Sequence, residues 1–294
     1  MMVPRFPIAT FSIVAYNPDR QEWGVAVQSK FLACAAVVSW ARAGAGAVAT
    51  QSYANMDYGP DGLALLADGK SAGEVVAALT EADEEREWRQ LGIVDAQGGV
   101  AAFTGSECMA WAGHQTGEMY SCQGNILVPG TVEAMATAFE KARDEGHGEL
   151  ADWLVKALAA GQAAGGDSRG RQAAGVLVVR EKGGYGGRTD RYLDLRVDDH
   201  PTPIKQLHTL VEAHHLFFGA VDEDDLVPLE SVVAEMEPVL WRKHYLTAPV
   251  HGVLTPEFRQ ALVKMTGTEN LEERWRGQDM IERKVVAYLK SRGA

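Results

Sequence analysis

Short apolar runs, rich in valine and isoleucine, occupy the first part of the chain and predict consecutive β-strands. They lie within residues 8–53 and are separated by YNPDRQEW and RAGAG, whose Pro, Asn, Asp and Gly residues are typical of turns. Antiparallel pairing is the simplest arrangement for strands joined in this way. The apolar period then changes from 2 to 3.6, which predicts a helix around residues 62–66 and another beginning at SAGE. Ser71 and Glu74 have the spacing of a capping box there.

The same order of elements recurs further along the chain. WRQLGIVDAQGGVAAFTG, residues 88–105, predicts a hairpin, because two apolar runs flank a turn that contains glycine. More strand is predicted in MYSCQGNILV, then helices over residues 131–143 and 149–163, then strands in AAGVLVV and RYLDLRV. Strands followed by helices, without strict alternation, predict an α+β fold with helices packed on antiparallel sheets. No G-x-G-x-x-G follows the first strand and no Walker pattern occurs, so a Rossmann fold is disfavoured.

The last part of the chain has a different pattern. The acidic stretch VDEDDLVP follows Gly219 as a linker, and residues 229–289 are helical throughout, with Gly252 and Pro256 as breaks. We therefore predict a large domain over residues 1–219 and a small helical module over residues 226–294.

Composition narrows the classes of partner. Hydrophobic residues make up 46% of the 294 residues and charged residues 23%, as in soluble globular proteins. The net charge of −12 would repel a phosphate backbone, so nucleic acid is not expected as a partner. No apolar run approaches the roughly 18 residues that span a bilayer, and no signal peptide is seen, so we expect no membrane contact and a cytoplasmic location. The 3 cysteines and the histidines lack metal-ligand spacing, so neither a metal nor a cofactor is predicted.

The first hairpin carries a hydroxyl at its start, Thr10, and an amine at its end, Lys30. Residues at the start of one strand and the end of its partner lie opposite each other, so we expect the two side chains to approach within one cavity. They are either ordinary polar residues at a sheet edge, with Lys30 reaching out to water, or a nucleophile and the cation that tunes it. Gly46, just before a strand, could aim its backbone N–H at a developing oxyanion, or could only form a tight turn.

A second group of candidates lies in the glycine-rich loop GGDSRGRQ. Arg169 and Arg171 suit recognition of a substrate carboxylate, and Asp167 could orient the amine of a nucleophile. The alternative is a capped helix end whose charges are solvated. Gln51 and Asn125 could reach the same pocket, although turns and strand ends use such residues routinely.

Several stretches resemble the bacterial DUF1028 family, which is placed among the N-terminal nucleophile (Ntn) hydrolase-like folds. The resemblance covers residues 8–218 and rests on TFSIVAY, WGVAVQSKFLA, WARAGAGAVATQSYANMDYGPDGL, RQLGIVDAQGGVAAFTG, GNIL, GQAAGGDSRGRQAAGVLVV and DLRVDDHP. It implies a four-layer αββα sandwich whose first strand begins with the nucleophile. Thr10 matches that position, with Ser12 as the alternative nucleophile or a substrate-binding residue, and Lys30 would stabilise the alkoxide.

The same resemblance implies that the nucleophile becomes the chain terminus and that its own α-amine acts as base. Such an amine has an unperturbed pKa of about 7.7–8.0, close to working pH. Because 9 residues precede Thr10, this chemistry requires cleavage between Ala9 and Thr10. The function expected is hydrolysis of a small amide or peptide-like substrate. The alternative is a binding or scaffold protein that keeps the fold without processing.

The C-terminal stretch APVHGVLTPEFRQALVKMTGTENLEERW resembles the peptidoglycan-binding-like module that accompanies some DUF1028 proteins. In this pattern, G-x-x-T from Gly252 to Thr255 starts a helix that carries Phe258 and Leu262. The resemblance implies contact with cell-wall glycan, but an interface role fits equally well, since no export signal was found.

A homodimer is expected from the apolar face of the helix LVEAHHLFF. It ends in Leu216, Phe217 and Phe218, whose area a second subunit could bury.

Overall fold

The computed structural model describes residues 10–292, which divide into two compact units between Val211 and Glu212. In chain order the elements are β1 (Thr10–Asn17), β2 (Glu22–Ser29), α1 (Ala35–Val38), β3 (Ser39–Arg42), β4 (Gly46–Ser52), α2 (Tyr58–Ala67), α3 (Ala72–Glu81), β5 (Arg89–Asp95), β6 (Val100–Thr104), β7 (Gly113–Gly117), β8 (Tyr120–Gly124), α4 (Thr131–Asp144), α5 (Leu150–Ala163), β9 (Ala173–Val179), β10 (Arg191–Val197), α6 (Pro203–Phe218), β11 (Leu226–Pro228), α7 (Val233–Arg242), α8 (Pro256–Thr268), β12 (Met280–Glu282) and α9 (Arg283–Arg292).

The N-terminal unit contains two antiparallel sheets. The larger has the strand order β10-β9-β2-β1-β8-β7, and the smaller has the order β3-β4-β5-β6. The first hairpin pairs along its whole length, from Thr10 opposite Ser29 to Asn17 opposite Glu22. The predicted hairpin over residues 88–105 is present as β5 and β6.

Alternation along each strand sends side chains to two different layers. In β1, Phe11, Ile13 and Ala15 join the core formed with α4 and α5, whereas Val14 and Tyr16 join the core between the two sheets. Because side chains alternate with period 2, every fully buried strand here contributes to both layers. The middle of the first strand, residues 13–16, is therefore continuously apolar rather than alternating.

A pair of helices covers the outer face of each sheet. α4 and α5 pack on the larger sheet, where Phe139, Leu154 and Leu158 are buried against it. α2 and α3 pack on the smaller sheet through Leu66 and Val75. The mixed fold of helices and antiparallel sheets expected from the sequence is confirmed.

Sequence signals near the helix ends predicted most of these helix boundaries closely. The Ser71 hydroxyl accepts the backbone N–H of Glu74, and the Glu74 carboxylate accepts that of Ser71, so the predicted capping box is confirmed. α4 and α5 begin and end within one residue of the predicted bounds. α2 begins at Tyr58, four residues before the predicted start, because the polar YGPD turn enters the helix.

The C-terminal unit is helical, as expected, and is built around the buried side chains of Phe258, Leu262 and Trp275. The Thr255 hydroxyl caps α8 by accepting the N–H of Phe258, which explains why G-x-x-T starts a helix. The expectation of helix throughout was wrong at one point. β11 pairs with β12, and strands of three residues are too short to show a period in the sequence.

Two of the three apolar residues expected to form a dimer face are used inside this unit. Leu216 belongs to its buried core, and the Phe217 ring lies edge-on to Tyr288 with centroids 5.5 Å apart. Phe218 is 67% exposed. The homodimer stays a prediction, with less apolar area to support it. In the part of the chain that the structure describes, no helix is long and apolar enough to cross a membrane.

A buried carboxylate lies at the end of the larger sheet that is remote from Thr10. Glu22 is fully buried, and one of its oxygens accepts a hydrogen bond from Arg180 Nη1 at 2.9 Å. The Arg180 guanidinium lies 3.7 Å above the centroid of the Tyr192 ring. Tyr192 and Arg20 both donate to Glu149. Burial, reinforced by the negative charge of Glu149, raises the pKa of Glu22, although Arg180 and Arg20 oppose the change.

We predict that Glu22→Gln leaves the protein at least as stable at pH 8 and weakens the pH dependence of its stability. A raised pKa means that the folded state holds the proton more tightly than the unfolded state. The free energy of unfolding therefore falls as pH rises from the ordinary value of 4.5 through the folded value. Urea unfolding of both proteins between pH 5 and pH 8 measures this. Lower stability of Glu22→Gln at pH 8, with the wild-type pH dependence retained, would contradict it.

Candidate functional site

The space between the two sheets is apolar in its middle and polar at one end. Val14, Val25 and Val94 fill the middle. At the polar end, the start of β1 meets the ends of β2, β4 and β8 and the start of β5. Polar side chains from these strand ends are fully or almost fully buried there: Thr10, Ser12, Ser29, Gln51, Gln90, Gln123 and Asn125.

Thr10 is the first residue of β1 and lies in the middle of this end. Its Cα partner is Ser29 on β2, and its carbonyl oxygen accepts the backbone N–H of Asn125 at 3.0 Å. The residue is 0% exposed, and its hydroxyl has no hydrogen-bond partner among the described residues. A buried hydroxyl is ordinarily paired, so this one needs an explanation.

Gln90 is the hub of the buried amides. Its Nε2 donates to the carbonyl oxygens of Gly124 at 2.8 Å and Gly113 at 3.1 Å, and it lies 3.0 Å from the Thr104 hydroxyl. Backbone carbonyls can only accept, so the orientation of this amide is fixed. Its Oε1 then accepts from Gln51 Nε2 at 2.8 Å and from Asn125 Nδ2 at 3.0 Å.

A second branch continues from Gln51. Its Oε1 accepts the Ser12 hydroxyl at 2.6 Å, and Ser12 Oγ accepts Gln123 Nε2 at 2.7 Å. Gln123 Oε1 accepts the Ser121 hydroxyl at 2.8 Å. Gly92 faces this amide, and a Cβ there would lie 2.1 Å from Gln123 Oε1, so any other residue would displace the Gln123 amide.

Asn125 is the last residue of the first branch, and its side-chain oxygen has no hydrogen-bond donor among the described residues. Its Oδ1 is buried and has no partner within residues 10–292. The register of β1 with β8 pairs Phe11 with Gly124, and its continuation places Asn125 beside Thr10. Cross-strand neighbours on one face have Cβ atoms about 4.5–5.5 Å apart. Two unsatisfied polar atoms, Thr10 Oγ1 and Asn125 Oδ1, therefore lie on adjacent residues.

The backbone is strained around the same end. Ser52, the last residue of β4, has a φ of 67°, and Ile126, which follows Asn125, has a φ of 54°. Left-handed backbone costs a residue other than glycine about 1–3 kcal/mol, and a β-branched side chain makes it rarer still. Such strain clusters at functional sites.

The loop after α5 is fastened to the end of β2 by Asp167. Its Oδ2 accepts the backbone N–H of Lys30 and Arg169 Nη2, while its Oδ1 accepts the backbone N–H and Nε of Arg169. A carboxylate has about four acceptor positions, and these contacts use them all. Asp167 therefore has no acceptor position left for the amine of Thr10.

The structure does not enclose Thr10 and Lys30 together. Ser29, not Lys30, lies opposite Thr10, and Lys30 is exposed whereas Thr10 is buried. The predicted opposition was wrong by one residue. Tyr16 pairs with Trp23 near the turn, so counting away from the turn brings Thr10 opposite Ser29 and leaves Lys30 one residue beyond the pair. Arg169 folds onto Asp167, and Arg171 is exposed at the surface of the loop.

Gly46 is not brought to Thr10 either. It begins β4, whereas Gln51, which donates to the Thr10 carbonyl at 3.3 Å, lies near the end of that strand. Five residues of strand separate the two ends by about 17 Å. Gly46 has a φ of 149°, and a Cβ there would meet the Val94 carbonyl oxygen at 2.3 Å, so glycine is needed for close packing.

Gln90 and Gln123 were not among the residues predicted from the sequence. A signal was available in and just after β8, where Ser121, Gln123 and Asn125 alternate with Tyr120, Cys122 and Gly124. A polar stripe of period 2 within a buried strand predicts a buried polar layer.

An open cleft of about 530 Å³ lies on the other side of the smaller sheet, where α2 and α3 meet. Its lining includes Asp57, Asp61, Asp68 and Asp83. It lies on the helix-facing side of that sheet, whereas Thr10 lies on the opposite side, so the two do not form one site. Residues 10–292 contain no cluster of His, Cys, Asp and Glu that could hold a metal ion.

We predict opposite outcomes for two equally buried glutamines. Gln90→Leu should lower the free energy of unfolding by about 3 kcal/mol or more, because each buried group left unpaired costs about 1–3 kcal/mol. Gln28 is also 0% exposed, but neither of its amide atoms has a partner among the described residues. Gln28→Leu should be neutral or stabilising. Equal losses in urea unfolding would show that the Gln90 contacts do not stabilise the fold.

Two family models match this chain, one in each of its two units. A family model described as "Family of unknown function (DUF1028)" matches residues 10–207, and one described as "Putative peptidoglycan binding domain" matches residues 216–289. The crystal structure of protein SPO2555 from Silicibacter pomeroyi, a DUF1028 protein, is similar with a TM-score of 0.63 and 29% identity. The similarity covers 72% of this chain and 91% of that chain. No curated protein matches. Both resemblances seen in the sequence are confirmed at this level, and the chain belongs to the DUF1028 family.

Proposed function

We propose that the N-terminal unit is an Ntn-type amide hydrolase in which Thr10 becomes the terminal nucleophile after cleavage of the Ala9–Thr10 bond. One observation carries the proposal: Thr10 begins a central strand of the larger sheet, and its hydroxyl is buried with no hydrogen-bond partner among the described residues. The family match also begins at Thr10. Ala9 lies outside the described residues, so the bond to be cut joins the first described residue, Thr10, to the residue before it.

The arrangement of layers supports the same proposal. Helices α4 and α5, the larger sheet, the smaller sheet, and helices α2 and α3 pack in that order. This is the order expected for a four-layer αββα sandwich of the Ntn type, and assigning the fold to that class is part of the proposal.

The proposed processing step is intramolecular. Thr10 Oγ1 attacks the carbonyl carbon of Ala9, the C–N bond breaks, and an ester joins Ala9 to the Thr10 side chain while the nitrogen takes up the proton. Water then hydrolyses the ester, which releases the segment ending in the Ala9 carboxylate and leaves Thr10 with a free α-amine and a free hydroxyl.

The same two groups would then hydrolyse a substrate amide. The α-amine takes the hydroxyl proton while Oγ1 attacks the substrate carbonyl carbon, and the leaving amine departs with that proton. Water, deprotonated by the α-amine, hydrolyses the resulting ester and releases the acid. An unperturbed α-amine has a pKa of about 7.7–8.0, which suits both transfers near neutral pH.

The surrounding residues take different parts in this proposal. Ser12 and Gln51 hold the strand end rather than the substrate, because their polar atoms are occupied by other side chains. Lys30 would act from the rim through its charge, which favours an alkoxide. Arg171, exposed on the adjacent loop, is the cation best placed to meet a substrate carboxylate from solvent.

One observation favours the alternative, a binding or scaffold protein that is not processed. Thr10 is 0% exposed, so no substrate reaches its hydroxyl in this conformation. The hydrolase requires cleavage before Thr10, because cleavage makes Thr10 the chain terminus with a free amine. The scaffold requires no cleavage. For the C-terminal unit, contact with cell-wall glycan is proposed on the family description alone.

We predict that purified protein loses residues 1–9 on incubation. Intact mass spectrometry should show a new terminus at Thr10, and Thr10→Ser should cleave at the same bond because serine retains the hydroxyl. Thr10→Ala should stay intact. A wild-type chain of full length after prolonged incubation would support the scaffold, and a terminus at Ser12 would move the nucleophile by two residues.

Thr10→Ala should also abolish amidase activity on a panel of small amides and short peptides while leaving the free energy of unfolding nearly unchanged. The substitution removes a hydroxyl that makes no hydrogen bond, so little stability depends on it. Loss of stability comparable to a core deletion, without any activity in the wild type, would make Thr10 a structural residue.

A further inference from the structure

The orientation of the Asn125 amide is decided by its neighbours. Gln90 is fixed by two backbone carbonyls, so its Oε1 faces Asn125 and must receive an N–H. Turning the Asn125 amide over would place Oδ1 against Gln90 Oε1, two acceptors in contact. Asn125 Oδ1 is thus held away from Gln90 as an acceptor.

This acceptor is buried without a donor, which costs about 1–3 kcal/mol. Asn125 is 1% exposed, so bulk water does not satisfy it. The neighbouring unsatisfied atom, Thr10 Oγ1, forms no hydrogen bond with it. The group that completes the site must bring an N–H or O–H to this position.

We propose that Asn125 Oδ1 accepts a hydrogen bond from the α-amine of Thr10 once that amine is free. The inference rests on the proposed function. In the uncut chain the Thr10 nitrogen is a peptide nitrogen with one hydrogen, whereas cleavage turns it into an amine with additional donors at the residue beside Asn125. Asp167, the acidic residue of the adjacent loop, has all its acceptor positions filled.

A neutral acceptor suits this position better than a carboxylate. A negative charge within about 4–6 Å favours the ammonium form and raises the pKa of an amine by about 1–3. An amine held protonated near neutral pH cannot take the hydroxyl proton. Asn125 orients the amine without that penalty, so we assign it as a positioning residue.

The test measures the pKa of the Thr10 α-amine from the pH dependence of its acetylation by acetic anhydride, followed by peptide mass spectrometry. Asn125→Asp should raise this pKa by about 1 or more, because it adds a carboxylate beside the amine. Asn125→Ala should lower it, because the ammonium form loses its acceptor. A residue with a purely structural role would not move the pKa in opposite directions.

Gln123→Glu is the matched control. It adds the same charge to the same buried layer, but Gln123 lies two strand residues from Asn125, about 7 Å away, beside Ser12 rather than Thr10, and bonds to Ser12. Its effect on the amine should be clearly smaller than that of Asn125→Asp. If Asn125→Asp does not fold, the fall expected for Asn125→Ala decides the matter alone.

A specific protease site placed directly before Thr10, and cut after folding, supplies the free amine whether or not the chain cleaves itself. Absence of self-cleavage together with the expected pKa changes would remove the hydrolase proposal and keep this inference. Equal changes in Asn125→Asp and Gln123→Glu, or no change in Asn125→Ala, would overturn the inference whatever the outcome of self-cleavage.

Discussion

The carbonyl groups of Gly113 and Gly124 accept hydrogen bonds from the side-chain amide of Gln90, and this contact orients every other amide between the sheets. Burying an amide without partners is unfavourable, whereas a fully paired network in a low dielectric is strong. The glutamines can therefore replace apolar side chains at this end of the layer. They also restrict which residues can face them, since a side chain at Gly92 would meet the amide of Gln123.

Within this network between the sheets, Thr10 and Asn125 each leave a buried atom unsatisfied. Strained backbone at Ser52 and Ile126 lies at the same end. Proteins tolerate such departures mainly at functional sites, where the unfavourable energy is compensated by the rest of the fold. The apolar middle of the layer and the two helix pairs supply that compensation here. The proposed nucleophile, which would gain its amine only after cleavage, would account for both unsatisfied atoms.

The sequence predicted the elements well and the site only in part, for a physical reason. Strand alternation and the Ser71 capping box depend on neighbours in the sequence, so they are visible there. Thr10 was predicted because it begins a strand, and the structure places it as the first residue of β1. Gly46 was misplaced because a residue pattern does not say which end of a sheet a strand start will meet. Gln90 was missed because its partners lie on other strands, and Gly113, Gly124 and Asn125 lie across the layer between the sheets.

The account depends on Thr10 acquiring a reactive hydroxyl beside a free amine, and covalent trapping tests this most directly. A β-lactone opened by Thr10 Oγ1 would leave an ester on that side chain, which peptide mass spectrometry locates. The account predicts one adduct per cleaved chain, on the peptide that begins with Thr10, and none on uncut chains or on Thr10→Ala. Cleaved protein that carries no adduct at Thr10, or uncut protein labelled there equally well, would contradict it.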